Sequence, residues 1–277
     1  MSLSDIPPLN AAALLKRYDL RAHKALGQNF LQDPLALEKI VSAAEIQPGD
    51  TVLEIGPGLG SLTRYLAVSA REVVAVELDQ KLLPPLKDVL VPYPNVRLIH
   101  GDILKLSPKA LIPDQKYVAV ANIPYYITSA IIRHLLENEP QPRRIVFTIQ
   151  KEVAQRICAG PGDMSLLALS VQVYGKPHIA AHIPAEAFFP APIVDSAVLV
   201  VDIYPAPLIE EDMLDSFFRL IKAGFSQKRK MLRNSLASGL HISPAQAVDL
   251  LTRAGVDPER RAESLSIEEW QTLARNL

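Results

Sequence analysis

Glu54-Ile55-Gly56-Pro57-Gly58-Leu59-Gly60 closes a short apolar run and leads directly into a helical pattern. A glycine-rich turn of this kind lets a ligand approach the backbone beside a helix N-terminus, where N–H groups lack partners. Ser61 stands where G-x-G-x-x-G needs its third glycine, which disfavours a diphosphate cradle. No G-x-x-x-x-G-K-S/T phosphate loop occurs either. Three later apolar runs also end in polar residues, namely Glu77, Gly101-Asp102 and Asn122. Glu77 can accept from both hydroxyls of a ribose, and Asp102 from the exocyclic amine of an adenine. Each carboxylate alone is an ordinary loop residue. Together, after G-x-G-x-G, they suit a nucleoside-bearing ligand lying across the ends of parallel strands.

Asn122-Ile123-Pro124-Tyr125 suits a second, aromatic ligand. Asn122 offers an amide acceptor, Ile123-Pro124 favours an extended turn that presents a backbone carbonyl, and Tyr125 adds a stacking face. Adenine N6 is a poor nucleophile because its lone pair is conjugated with the ring. Two acceptors gripping its N–H groups favour a pyramidal nitrogen and aim the lone pair, with no metal or strong base required. Phe188-Phe189-Pro190-Ala191-Pro192, with Val194 and Ser196, can supply an aromatic wall for a flipped base.

These residues need a parallel sheet to bring them together. Asp33-Pro34 reads as a helix start, with apolar residues at helical spacing from Leu37 to Ala44. Strands are then expected at Thr51–Ile55, Glu72–Val76, Val96–His100, Tyr117–Ala121 and Arg144–Ile149. Helices fall between and after them, at Ser61–Ser69, Lys81–Val91, Ser129–Asn138 and Lys151–Ala159. Short, nearly continuous apolar strands alternating with helices mean a parallel sheet covered on both faces. Leu166–Val173 and Ala197–Ile203 read as two more strands with Pro-rich turns between. After the linker Tyr204-Pro205-Ala206-Pro207 the patterns are helical only: Asp212–Phe225, Lys228–Leu236, Ser243–Ala254 and Ile267–Asn276. Ser266-Ile267-Glu268-Glu269 has the form of a capping box. The expected domains are 1–204 and 205–277.

Composition sets bounds. Apolar residues make up 49% and charged residues 21%, ordinary for a soluble globular chain. One cysteine, Cys158, excludes an intramolecular disulfide framework. Uncharged stretches such as Met164–Gly175 are too short to span a bilayer, and the first residues do not resemble a signal peptide. A cytoplasmic protein is expected. The net charge of −1 says nothing for or against nucleic acid, so distribution matters more. Between Arg219 and Arg233 lie Lys222, Lys228, Arg229 and Lys230 and no acid; a weaker cluster comprises Lys16, Arg17, Arg21, His23 and Lys24. Alone, each reads as a solvated face. His178 and His182 have i, i+4 spacing, but prolines crowd them and no third ligand is near, so no metal site is expected.

The glycine turn with its polar strand ends resembles the class I S-adenosylmethionine-dependent methyltransferases, and Asn122-Ile123-Pro124-Tyr125 resembles the Asp/Asn/Ser-Pro-Pro-Tyr/Phe box of amino-methyltransferases. Four blocks make the resemblance specific: Lys24-Ala25-Leu26-Gly27-Gln28-Asn29-Phe30-Leu31, the glycine turn, the Asn122 tetrapeptide, and Phe188 to Ser196. They occur in the order of the KsgA (RsmA) family of 16S ribosomal RNA adenine N6,N6-dimethyltransferases. Phe225-Ser226-Gln227-Lys228-Arg229-Lys230-Met231-Leu232-Arg233-Asn234 extends the likeness over nearly the whole chain.

The resemblance implies a Rossmann-like α/β domain, a mostly parallel sheet with helices on both faces, plus a small all-helical C-terminal domain. It implies S-adenosylmethionine contacts at Asn29, Leu31, Gly56, Gly58, Glu77, Asp102 and Asn122, with residues 1–30 contributing to the site. Asn122, Pro124, Tyr125 and Phe188 would hold the adenine. Lys222, Lys228, Arg229, Lys230 and Arg233 would meet RNA phosphates. The implied substrate is 16S ribosomal RNA within an immature small subunit, modified by a monomer at two adjacent adenosines of a hairpin loop near the 3′ end. Two alternatives are a relative of the Erm methyltransferases of large-subunit RNA and a nucleic-acid binder that keeps the fold without turnover, akin to the mitochondrial transcription factor B proteins. The C-terminal block favours the KsgA reading over the first, and the intact Asn122 and glycine motifs favour catalysis over the second.

Overall fold

A computed structural model describes residues 3–23, 26–113, 116–123, 127–227 and 229–277. Among them are nine strands: β1 (Phe30–Leu31), β2 (Thr51–Ile55), β3 (Glu72–Glu77), β4 (Val96–His100), β5 (Tyr117–Asn122), β6 (Arg144–Gln150), β7 (Gly175–Ile183), β8 (Phe188–Phe189) and β9 (Ser196–Ile203). Seven form one sheet in the order β4-β3-β2-β5-β6-β9-β7. From β4 to β6 the pairing is parallel, and β9 joins β6 antiparallel. In chain order β2, β3 and β4 run to one side, and β5 then pairs on the other flank of β2. The β2/β5 junction is therefore the topological switch point, where open α/β sheets bind ligands.

Composition explains why these strands sit inside. All five residues of β2 are buried, as a central parallel strand requires. Val52, Val73, Ala75, Val118, Val120 and Val146 pack in one core with α2 (Pro34–Ala44), α3 (Ser61–Ser69) and α4 (Leu83–Leu90). The intervening residues Leu53, Val74, Ala119 and Phe147 are equally buried, so the opposite face is covered too. Helix starts follow their caps: Asp33 accepts from the Leu35 N–H with Pro34 at the first helical position.

The chain divides into two compact units, Met1–Ala154 with His178–Ile203, and Gln155–Pro177 with Tyr204–Leu277. The second unit holds α8 (Leu166–Gln172), α9 (Leu214–Phe225), α10 (Leu232–Leu240), α11 (Pro244–Arg253) and α12 (Ile267–Arg275). Both Ser243/Gln246 and Ser266/Glu269 form capping boxes. The remaining helices are α1 (Ala11–Arg17), α5 (Pro108–Leu111), α6 (Thr128–Leu136) and α7 (Lys151–Ile157).

Several sequence expectations need correction. Leu166–Val173 is helical, not a strand: Ser165 caps it by accepting from the Ala168 N–H at 3.1 Å, and Leu and Ala favour helix. With α8, residues Gln155–Pro177 group with the C-terminal helices, so the first unit is discontinuous. Gly175–Ile183, expected as Pro-rich turns, is a nine-residue strand. It lies last in the sheet order, where Pro177 costs no central ladder bond. The next helix starts at Leu232, not Lys228. That leaves Arg229 and Lys230 in the preceding loop.

Candidate active site

The carboxyl ends of β2, β3 and β5 open onto a cleft of about 1110 Å³, part of it open to solvent. Asn29, Leu31, Gly56, Gly58, Glu77, Asp102, Asn122 and Phe188 all line it. Every described residue expected to meet the cofactor or the target base is thus brought to one place. Pro124 and Tyr125 lie outside the described residues.

The glycine turn takes its shape from backbone torsion. Gly58 has φ +58, and a Cβ there would meet the Phe30 ring at 3.1 Å. Gly60, the N-cap of α3, has φ +84, and its Cβ would press on Leu86 Cδ1 at 2.9 Å. Larger residues are strained at both positions, on torsion and on space.

Glu77, at the end of β3, is 5% exposed. Its Oε2 accepts from the Gly58 N–H at 3.0 Å, and its Oε1 from the Asp79 N–H at 2.7 Å. Burial pushes the carboxyl above the usual range, and the N–H groups of Asp79 and Gly58 oppose that. Each oxygen keeps a second lone pair. Asp102 is fixed in a similar way, Oδ1 accepting from the Leu104 N–H at 3.1 Å, with Lys105 at 3.8 Å from Oδ2.

Asn122 ends β5. Its Nδ2 donates to the Asn29 carbonyl at 3.1 Å, which leaves Oδ1 as the group to face a ligand. Residues 26–31 line the cleft. Phe30 and Leu31 pair with Phe189 and Phe188 in a two-stranded sheet, and Phe188 is 3% exposed while lining the cleft.

Sequence reading missed two residues here. Glu54 is 1% exposed and lines the cleft, and its Oε2 has no hydrogen-bond partner among the described residues. Burial pushes its carboxyl up to about 8; the Thr63 hydroxyl opposes the rise and the Glu77 charge adds to it. The available signal was an acid inside the otherwise apolar Thr51–Ile55 run. Asp79 is the second; only hydrogen bonds between residues distant in sequence reveal it.

The expected RNA residues lie on the second unit. Among the described residues, Lys222, Arg229 and Lys230 are exposed without an ion-pair partner, whereas Arg233 already pairs with Glu259 at 3.2 Å; Lys228 lies outside the described residues. Lys16, Arg17, Arg21 and His23 are exposed as well, on the first unit. His178 and His182 stand on the extended β7, where i, i+4 spacing separates them by roughly 13 Å. Among the described residues no group of three or more His, Cys, Asp or Glu is placed to hold a metal ion, and no helix is long and apolar enough to cross a membrane.

The family described as ribosomal RNA adenine dimethylase matches residues 19–277. Ribosomal RNA small subunit methyltransferase A of Dehalococcoides mccartyi (strain CBDB1) is 48% identical over 98% of this chain and 94% of its own length. The protein of that name from Alkaliphilus metalliredigens (strain QYMF) is 42% identical over 98% and 97%. Among solved structures, a dimethyladenosine transferase from Plasmodium falciparum is similar with TM-score 0.76 and 27% identity, over 88% of this chain and 95% of that one. The 23S rRNA methyltransferase ErmE gives TM-score 0.73 and 30% identity, over 90% and 99%. A glycine turn, three oriented polar strand ends and a family match across nearly the whole length agree: the chain belongs to the ribosomal RNA adenine dimethylase family.

Proposed function

We propose that this protein uses S-adenosylmethionine to dimethylate the N6 amines of two adjacent adenosines, in a hairpin loop near the 3′ end of 16S ribosomal RNA within an immature small subunit. The observation that carries this reading is Asn122, held at the switch point by its amide nitrogen while Glu77 and Asp102 stand at neighbouring strand ends. The 48% identity to a small-subunit methyltransferase over 98% of this chain supports the choice of RNA. A monomer acting in the cytoplasm goes with it.

The residues present fit the cofactor. Glu77 has one lone pair on each oxygen for a ribose hydroxyl, because backbone N–H groups take the others. Gly58 lets the turn lie against the Phe30 ring, where a Cβ would meet that ring at 3.1 Å, and both residues line the cleft. Asp102, preset by its turn, offers Oδ2 to an adenine amine. Asn29, Leu31, Gly56 and Asn122 would hold the remainder. Bound there, the cofactor supplies an electrophilic methyl group on a positively charged sulfur.

Asn122 Oδ1 accepts one N6–H of the target base, and Pro124, which lies outside the described residues, is assigned the second acceptor, so the nitrogen lone pair is directed at the methyl. Tyr125 and Phe188 fix the base plane. Catalysis then comes from orientation and fixed dipoles, with no strong base needed. Lys222, Arg229 and Lys230, with Lys228 and Arg233, give the RNA backbone its counter-charge.

Labelled methyl donor offered to small subunits that lack the modification, followed by nucleoside analysis, tests the reading. Label in N6,N6-dimethyladenosine of the small-subunit RNA is expected; label only in large-subunit RNA, or none, would overturn it.

A further inference from the structure

We propose that Gln28 and Asp79 are positioning residues that latch segment Gly27–Leu31 across the cleft, so that the cover and the ribose-binding carboxylate form one unit. This rests on the reading of the cleft as the S-adenosylmethionine site. The cover has little secondary structure of its own, only the two residues of β1. What holds it is side-chain chemistry. Gln28 Nε2 donates to Asp79 Oδ2 at 2.8 Å, joining residues 51 positions apart. The Asp79 N–H donates to Glu77 Oε1 at 2.7 Å, and Glu77 Oε2 accepts from the Gly58 N–H at 3.0 Å. One chain of hydrogen bonds thus runs from the cover, through the carboxylate assigned to the ribose, into the glycine turn. The bond from Asn122 to the Asn29 carbonyl ties the same segment down at the methyl-transfer end.

The polarity of the latch is fixed on both sides. Gln28 Oε1 is already committed to the His23 N–H at 2.8 Å, so only the amide nitrogen is left to face Asp79. Asp79 Oδ1 is committed to the Lys81 N–H at 3.0 Å, where it caps the turn Gln80–Leu82, so only Oδ2 is left to face Gln28. A half-buried amide-to-carboxylate bond is charge-assisted and stronger than a neutral one. Opening a cover of this kind releases ligand, so its loss is read chiefly in the dissociation rate.

Fixed polarity permits a reversal test. Asp79→Asn keeps the oxygen that caps Lys81 and turns an NH2 toward the NH2 of Gln28. Gln28→Glu keeps the oxygen that accepts from His23 and turns a second carboxylate oxygen toward Asp79. Each alone sets like against like. Combined, they rebuild a single hydrogen bond with donor and acceptor exchanged. The measurements are affinity and dissociation rate of S-adenosylhomocysteine by calorimetry and stopped flow, and hydrogen exchange of residues 26–31 in the ligand-free protein.

Each single variant should bind about tenfold more weakly, release faster and exchange faster across the cover, and the combined variant should return to within about threefold of wild type. A merely structural role for either residue gives no such recovery. Single variants that bind and exchange like wild type, or a combined variant as weak as the two effects multiplied, would overturn the latch. Wild-type protein that fails to bind S-adenosylhomocysteine would overturn the cofactor reading and the latch together.

Discussion

The side-chain amide of Asn122 donates to the backbone carbonyl of Asn29 across 93 positions of sequence, at 3.1 Å. That bond decides which end of the amide meets a ligand. It also joins the last residue of β5 to a segment that lines the cleft, so the group proposed to orient a target amine is tied to that segment.

Glu77 anchors the cofactor side of the site. Glu77→Ala removes the acceptor for the ribose and also leaves the Gly58 and Asp79 N–H groups without their carboxylate. Binding of S-adenosylhomocysteine should weaken by about 1.5–3 kcal/mol, roughly 10- to 150-fold, with a lowered melting temperature as well. Isothermal titration on the folded variant checks this; unchanged affinity would remove Glu77 from the site.

Glu54 gives a pH signature. In the folded protein burial keeps its proton until about pH 8, while the unfolded chain releases it near the ordinary value of 4.5. Folding therefore takes up a proton between those values, so this group lowers stability as pH rises from about 5 to about 8 and has no further effect above that. Glu54→Gln mimics the protonated form. Its melting temperature should match wild type near pH 5 and exceed it by several degrees, as an order of magnitude, near pH 9. Parallel melting curves with pH would contradict the assignment.

The RNA surface predicts a salt dependence. Reversing Lys228, Arg229 and Lys230 to Glu should weaken binding to small-subunit particles and flatten its dependence on salt, by roughly 0.7–0.9 in log–log slope for each phosphate no longer neutralised. Cofactor affinity should not move. Arg233→Ala should do less than any one of the three, because Glu259 already neutralises that guanidinium. An unaltered slope in the triple variant would make the stretch a solvated face.

Much of this was legible in the sequence because strand ends in a parallel sheet are addressed by chain order alone. Glu77, Asp102 and Asn122 could be placed beside Gly56 from the sequence, since each closes an apolar run. Leu166–Val173 was not legible, because eight mostly apolar residues broken only by Ser170 and Gln172 are too short for their period to separate helix from strand, and the deciding signal was one capping serine. The strand Gly175–Ile183 was hidden by Pro177, a residue that an edge strand tolerates and a central one does not. Asp79 and the Gln28 latch were out of reach for another reason. They exist only once residues 51 positions apart meet.

The most direct measurement is single-turnover methyl transfer by Asn122→Ala at saturating small-subunit RNA and cofactor, beside a melting curve. If the Asn122 amide oxygen orients N6, the rate should drop on the order of 10²–10³ while RNA binding, carried by phosphate contacts elsewhere, stays near wild type. The second methylation should respond differently from the first, since monomethyladenine has one N6–H left to grip. A folded Asn122→Ala protein that transfers methyl groups within a few-fold of wild type would contradict this role.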